Sequence, residues 1–317
     1  MAKTHITEYD VFYISFDEPE REKNWANLLT KFPWAQRVHG VKGFDAAHKK
    51  CAELSQTDRF ITVDGDTIVH DEFTDIEMDI PDHLSDCTFS WASVNYVNGL
   101  IYGNGGLKLW TKDFVNNMRT HEHKDVENEE SKYKLDFCWD SKYVQMNNVY
   151  STTKTNGSPY QAFRAAFREG VKMTLHDGNL VDPQQLEERL HAKNFKRLLT
   201  WLMIGADVEN GLWSILGARM GMVMTLSGEF DLANISSYDW FTKFWKTKKF
   251  NELTKDGYSE DLYDLIVEYG DEIQLKTGIW VPYFDAHQSE MFKRIIDTPV
   301  RSLNPLVTEI EVINGRR

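Results

Sequence analysis

Three cysteines, Cys51, Cys87 and Cys138, are all that the 317 residues hold, and no two stand in a C-x-x-C spacing. This argues against a disulfide framework or a cysteine zinc site and predicts buried thiols in a reducing, cytoplasmic setting. No apolar run approaches the ~20 residues a membrane helix needs. The opening "MAKTHITEYD" lacks the apolar core of a secretion signal. Positive charge is scarce too. A net charge of −13 repels phosphate backbones on average, so general nucleic-acid affinity is not expected. Between Arg59 and Lys108 there is no Lys or Arg, while Asp64, Asp66, Asp71, Glu72, Asp75, Glu77, Asp79, Asp82 and Asp86 all fall there. Such a concentration is a solvated acidic face or, in part, a cation site. The D-x-D-x-D-G loop of calcium hands is missing, as are internal repeats and low-complexity tracts.

What is present suffices for a real core: 41% of residues are hydrophobic, with 10 Trp and 18 Phe, too apolar for a disordered chain. At ~150 residues per domain the length fits one large or two modest domains. "VFYISF" (11–16) reads as a buried strand. "EPEREKNWANLLTKF" follows with Trp25, Leu28, Leu29 and Phe32 at helical spacing. "QRVHGV" is a second short strand, and "GFDAAHKKCAEL" a second amphipathic helix with Phe44, Ala47, Cys51 and Leu54 on one stripe. "RFITVDGD" supplies a third strand. Strand and helix alternating in this way predict parallel βαβ units, hence an α/β fold.

"CTFSWAS", "GLIYGN" and "GLKLW" are short β-type runs broken by Asn and Gly, suggesting hairpins or a mixed extension of the sheet. "SPYQAFRAAFREGVKMTLHDG" predicts a helix capped by Ser158, with Pro159 in its first turn and Gly178 near its exit. Beyond residue 180 the chain reads as mainly helical. A boundary is placed at 178–183, where Gly178, Asn179 and Pro183 cluster, giving domains 1–180 and 181–317.

Asp64, Gly65 and Asp66 follow the third strand directly. In open parallel sheets ligands lie beyond the carboxyl ends of strands, so both carboxylates are expected on the ligand edge. An Asp-Gly step is also a common turn. Paired carboxylates suit a hard cation, Mn²⁺ or Mg²⁺, shared with substrate phosphates. Bound there, such an ion would neutralise a departing diphosphate.

The run from "VKGFDAAHKKCAEL" to "RFITVDGDTIV" resembles the core of GT-A glycosyltransferases, where a helix G-x-x-x-A-x-x-(K/N) leads into a strand ending in D-x-D. Gly43, Ala47, Lys49 and Lys50 match the helix, and Asp64 and Asp66 the D-x-D. The likeness spans residues 9–180 and, more narrowly, is to glycosyltransferases of tailed phages, some relatives of which modify hydroxymethylated DNA bases. It implies a GT-A-like (Rossmann-like) mixed sheet flanked by helices, with a helical C-terminal region on the acceptor side. It also implies a nucleotide-diphosphate sugar as donor, an acceptor such as hydroxymethylated DNA, and a place in the host cytoplasm. Ser15 and Asp17, with Glu18 beside it, would contact the nucleotide. Lys49 and Lys50 would reach phosphates, and Asp64 and Asp66 would hold the metal. "GNGGLKLW" (103–110), with Gly105 and Gly106, resembles the family's later Gly-Gly segment. "DFCWDS" (136–141) offers Asp140 or Asp136 as the catalytic base. The family's third metal ligand is missing from "NNVYSTT", leaving His176 or Asp177 as substitutes.

Two rival readings stand beside this one: a nucleotidyltransferase using the same metal–diphosphate chemistry, and a non-catalytic acidic protein binding a cation or a basic partner. Two basic features bear on the choice. Arg164, Arg168 and Lys172 share one helix face, either a solvated stripe or a phosphate contact. "WFTKFWKTKKF" (240–250) mixes four lysines with five aromatics, which fits base stacking with phosphate pairing or an amphipathic helix with its rings inward.

Overall fold

The computed structural model describes residues 3–103, 105–118, 142–253, 260–296 and 311–313. Asp136, Cys138 and Asp140 lie outside the described residues.

In chain order the elements are β1 (Thr4–His5), β2 (Asp10–Ser15), α1 (Arg21–Lys31), β3 (Gln36–His39), α2 (Phe44–Leu54), β4 (Arg59–Asp64), β5 (Thr67–Val69), β6 (Ile76–Met78), β7 (Thr88–Asn95), β8 (Ile101–Tyr102), β9 (Leu107–Thr111), α3 (Lys112–Asn117) and β10 (Tyr143–Thr153). Then follow α4 (Pro159–Met173), β11 (Leu175–His176), β12 (Asn179–Leu180), α5 (Leu186–Arg189), α6 (Ala192–Met203), α7 (Gly211–Leu226), α8 (Tyr238–Thr247), α9 (Phe250–Leu253), α10 (Glu260–Thr277), α11 (Ala286–Ile295) and β13 (Glu311–Ile313).

The main sheet runs β3-β2-β4-β9-β7-β10-β5, with β8 paired to β7. β2 lies parallel to both β3 and β4, as the alternating pattern predicts. Side-chain alternation divides the two faces. Val11, Tyr13, Ile61 and Val63 pack with Leu28 and Phe32 around α1, whereas Phe12 and Phe60 pack with Cys51 and Ala52 of α2. Cys51 and Cys87 are buried free thiols. β9 runs antiparallel to β4 and to β7, making the sheet mixed. β5 pairs antiparallel with β10. It starts three residues after β4 ends, a reach of ~11 Å, although in a flat sheet four strand spacings, ~19 Å, would separate the two. The sheet therefore curls around the turn that joins them.

Ser158 caps α4 through the Gln161 amide at 3.1 Å, with Pro159 in the first turn. The helix ends earlier than its glycine suggested. Gly178 instead follows Asp177 in the tight β11–β12 turn, both at positive φ, 79° and 48°. α4 also packs away from the sheet: Phe163, Phe167 and Val171 share a core with Leu212, Ile215, Leu216 and Met220 of α7. The helical layer thus begins at α4, ahead of residue 178. A further core joins Leu100 and Tyr102 of the sheet side to Ala166, Trp201 and Met222 of the helices.

α7 is buried at every position from Gly211 to Thr225. A helix apolar all round belongs inside a protein or a membrane. Here it is the central helix of the layer, and among the described residues no helix is long and apolar enough to cross a membrane.

Candidate functional site

β2 has β3 on one side and β4 on the other, so the order of the chain reverses between β2 and β4. The carboxyl ends of strands flanking such a reversal frame a crevice suited to ligands. Residues 15–18 leave β2 at this edge, and Asp64 to Asp66 leave β4 beside them.

The Asp64–Gly65–Asp66 turn is held on several sides. The Gly65 carbonyl accepts from the Tyr13 hydroxyl at 2.8 Å and from Asn24 Nδ2 at 2.9 Å, both buried contacts. The Asp64 amide donates to the Gly106 carbonyl at 3.1 Å, and the Lys154 amide to the Asp66 carbonyl at 2.8 Å. Glu18 closes over the turn. Its Oε2 accepts from the Phe16 amide at 2.7 Å and lies 2.6 Å from where a Gly65 Cβ would be. A Cβ on Gly106 would stand 2.4 Å from Asp64 Cβ, so the Gly-Gly segment leaves Asp64 its place. Gly105 is equally constrained, with Ser93 Cβ and the Trp91 carbonyl at 2.9 Å from its missing Cβ.

Three carboxylates meet here with little to offset them. Burial pushes Glu18 and Asp64 above the usual carboxylate range. For Asp66, burial and then the charges of Asp64 and Glu18 raise the value to about 7. Among the described residues, Lys108 forms an ion pair with this group: its Nζ lies 4.0 Å from Asp64 Oδ2 and donates to the Gly105 carbonyl at 2.9 Å. Lys108 is buried and Asp64 half-buried. Backbone held rigid beneath mutually repelling carboxylates is an arrangement that a bound cation stabilises.

This has a pH signature. An acid raised by folding binds its proton more tightly in the native state, so its contribution to stability falls as pH rises from the unfolded value towards the folded one. For Asp66 the window runs from 3.8 to about 7. Metal-free wild type and Asp66→Asn are expected to melt at similar temperatures only near or below pH 4. The variant should pull ahead as pH rises to about 7 and keep a constant lead from there to pH 8. Parallel melting curves across that range would show that Asp66 carries no such strain.

The other expected site residues are placed as follows. Ser15 is buried where β2 meets β3, its Oγ 3.0 Å from His39 Nδ1 and accepting from Arg37 Nε at 2.9 Å. Asp17 is exposed beside Glu18. Lys49 and Lys50 pair within their own helix, with Asp45 at 2.8 Å and Glu53 at 2.9 Å. Gly43, at φ 100°, opens that helix in a conformation only glycine adopts readily.

His176 does not join Asp64 and Asp66. Among the described residues, the group of His, Cys, Asp and Glu side chains gathered closely enough for a metal ion is His176, Asp177 and His191, with ligand atoms within 4.8 Å of one another. The reason is length: α4 begins beside the carboxylate turn, where Gly157 meets Pro19, and its 15 residues carry the chain ~22 Å away before His176. Two imidazoles and one carboxylate suit a borderline ion such as Zn²⁺ better than Mg²⁺. A cavity of about 470 Å³ lined by His176, Asp182 and Glu188 adjoins them.

In α8, Phe241 and Trp245 are buried, and Trp240 and Phe244 pack against the same core. The rings are therefore not free to stack on bases, and Lys243, Lys246, Lys248 and Lys249 are left exposed. Lys248 and Lys249 share a hollow with Asp261, Asp264 and Glu268, which dilutes their positive field. No family model matches this chain, and no curated protein matches it.

Proposed function

We propose that this protein is a metal-dependent glycosyltransferase that moves a sugar from a nucleotide-diphosphate donor to an acceptor hydroxyl. The observation that carries the reading is the clamped Asp64–Gly65–Asp66 turn at the sheet's point of reversal, with Glu18 above it. Asp64 and Asp66 would hold Mn²⁺ or Mg²⁺, whose chemistry is to neutralise the diphosphate as it leaves. Such ions bind through one or two carboxylates plus substrate phosphates, so a ready-made protein cage is not required. Gly105 and Gly106 keep the floor of the cleft low, and the charge of Lys108 opposes the upward push that burial gives Asp64. Asp140 or Asp136 would receive the acceptor's proton. A hydroxymethylated base of DNA is the acceptor the sequence resemblance implies.

The test is a thermal shift of the full chain with Mn²⁺, set beside hydrolysis of each ligand. A ligand that binds only the native state raises the melting temperature. A nucleotide-diphosphate sugar should raise it only with metal present and should be slowly hydrolysed. Hydrolysis of nucleoside triphosphates instead would favour a nucleotidyltransferase. A metal response with no donor effect would leave a cation-binding protein.

A further inference from the structure

Arg164 and Arg168 stand one turn apart on α4 and share a face. Each of the other described arginines makes a hydrogen bond or ion pair, from Arg37 on Glu22 to Arg219 on four carbonyls. Arg164 and Arg168 make neither, and the Nε of each is buried without a partner. Arg164 is held in place by stacking, its guanidinium carbon 3.6 Å from the Tyr238 ring centroid. The acid beside Arg168 is engaged elsewhere: Glu169 accepts from the Tyr102 hydroxyl at 2.7 Å and meets Lys172 at 3.6 Å. Two adjacent cations lacking an anion are anomalous in a chain of net charge −13.

Their position suggests what they face. α4 starts against Pro19, and Lys154 just before it bonds the Asp66 carbonyl and pairs with Glu20 at 3.1 Å. Burial, then the neighbouring charge of Arg164, pulls Arg168 down to about 10, and Asp66 is near enough for its charge to be felt there. A planar guanidinium fork with free N–H groups matches a phosphoryl oxygen pair.

We propose that Arg164 and Arg168 form a phosphate clamp on the helical side of the Asp64–Asp66 cleft, taking a phosphoryl group of the donor's diphosphate opposite the metal. The donor assignment rests on the proposed function; the anion site itself does not.

Titration calorimetry of the full chain with inorganic pyrophosphate, with and without Mn²⁺, tests this. Wild type should bind pyrophosphate in both conditions, more tightly with metal. Arg164→Gln/Arg168→Gln should lose at least about tenfold in both, while binding of Mn²⁺ alone stays unchanged. The double variant should fold, because it removes two like charges that no hydrogen bond or ion pair holds. Arg168→Lys, which keeps the charge but loses the fork, should fall between and decides the matter if the double variant is poorly folded. If Mn²⁺ does not bind wild type but pyrophosphate still depends on the pair, the clamp stands and the metal reading fails. Undiminished pyrophosphate binding in a folded variant overturns the clamp. Loss of oligonucleotide binding with pyrophosphate unaffected would assign the phosphates to an acceptor and overturn the donor assignment.

Discussion

Asp66→Asn is expected to melt higher than wild type at pH 8 without metal and to lose metal-dependent donor turnover by two orders of magnitude or more. The two effects share a cause. Asp66 is half-buried beside Asp64 and Glu18, and its raised proton affinity measures how poorly the metal-free protein tolerates that third negative charge. The amide keeps size and turn geometry while removing the charge. Asn accepts the same backbone conformation, and the contacts that fix the turn are made by main-chain atoms of Asp64, Gly65 and Asp66. A preorganised electrostatic contact aimed at the reacting group contributes about 3 kcal/mol to the transition state, which is roughly a hundredfold in rate. Asp64→Asn should lose turnover similarly but with less gain in stability, because Lys108 already offsets part of that charge. Mn²⁺-dependent hydrolysis and melting of both variants against wild type decide the matter. Near-normal turnover in both would mean that the carboxylates only make a turn.

The first half of the sheet was legible in the sequence because each strand and helix there follows its own period. Val11, Phe12 and Tyr13 form one apolar run, and Leu28 with Phe32, or Ala47 with Cys51, form one stripe, so parallel βαβ units follow without tertiary knowledge. The carboxylate turn was legible for the same reason: it ends a strand whose direction the alternation predicts. The rest of the site depends on contacts that local pattern does not carry. Lys108 reaches Asp64 because β9 is inserted antiparallel between β4 and β7. Glu18 covers Gly65 from another strand's loop. His176 meets His191 because a two-residue turn at Asp177 and Gly178 folds the chain back, whereas the resemblance to the glycosyltransferases suggested it as a partner for Asp64 and Asp66. The stripe of Arg164 and Arg168 was visible at i, i+4, but their lack of partners was not. That is a property of what surrounds α4. The lysine- and ring-rich α8 shows the converse: the inward orientation of its rings was one of two readings its spacing allowed, and core packing selects it.

Arg219→Leu is expected to cost the folded state at least about 4 kcal/mol, a large share of the ~5–15 kcal/mol that holds a typical domain folded. Arg219 is 1% exposed in the middle of α7, the central helix of the layer. Its Nε donates to the Leu202 carbonyl at 2.9 Å, Nη1 to Ile266 at 2.6 Å, and Nη2 to Val281 and Pro282 at 3.0 and 2.9 Å. One side chain thus satisfies carbonyls from the end of α6, from α10 and from the segment leading to α11. Burial lowers the guanidinium to about 10, which leaves it charged at neutral pH. Leucine would fill part of the space and withdraw the donor from all four carbonyls; that of Ile266, inside α10, keeps its helical partner, and each of the others left buried and unsatisfied costs about 1–3 kcal/mol. Arg219→Lys keeps a cation but has no fork to span separated carbonyls, so an intermediate loss is expected. The damage should reach the cleft. Gly217 and Gly221 of α7 seat α4 so closely that a Cβ at either would lie 2.2 or 2.3 Å from the carbonyls of Phe163 or Phe167. Displacing α7 therefore displaces the helix that carries Arg164 and Arg168. Urea unfolding followed by tryptophan fluorescence, with pyrophosphate affinity measured on whatever remains folded, checks both steps. A midpoint for Arg219→Leu close to wild type would show that the four carbonyls find other partners, and that Arg219 does not fasten the layer.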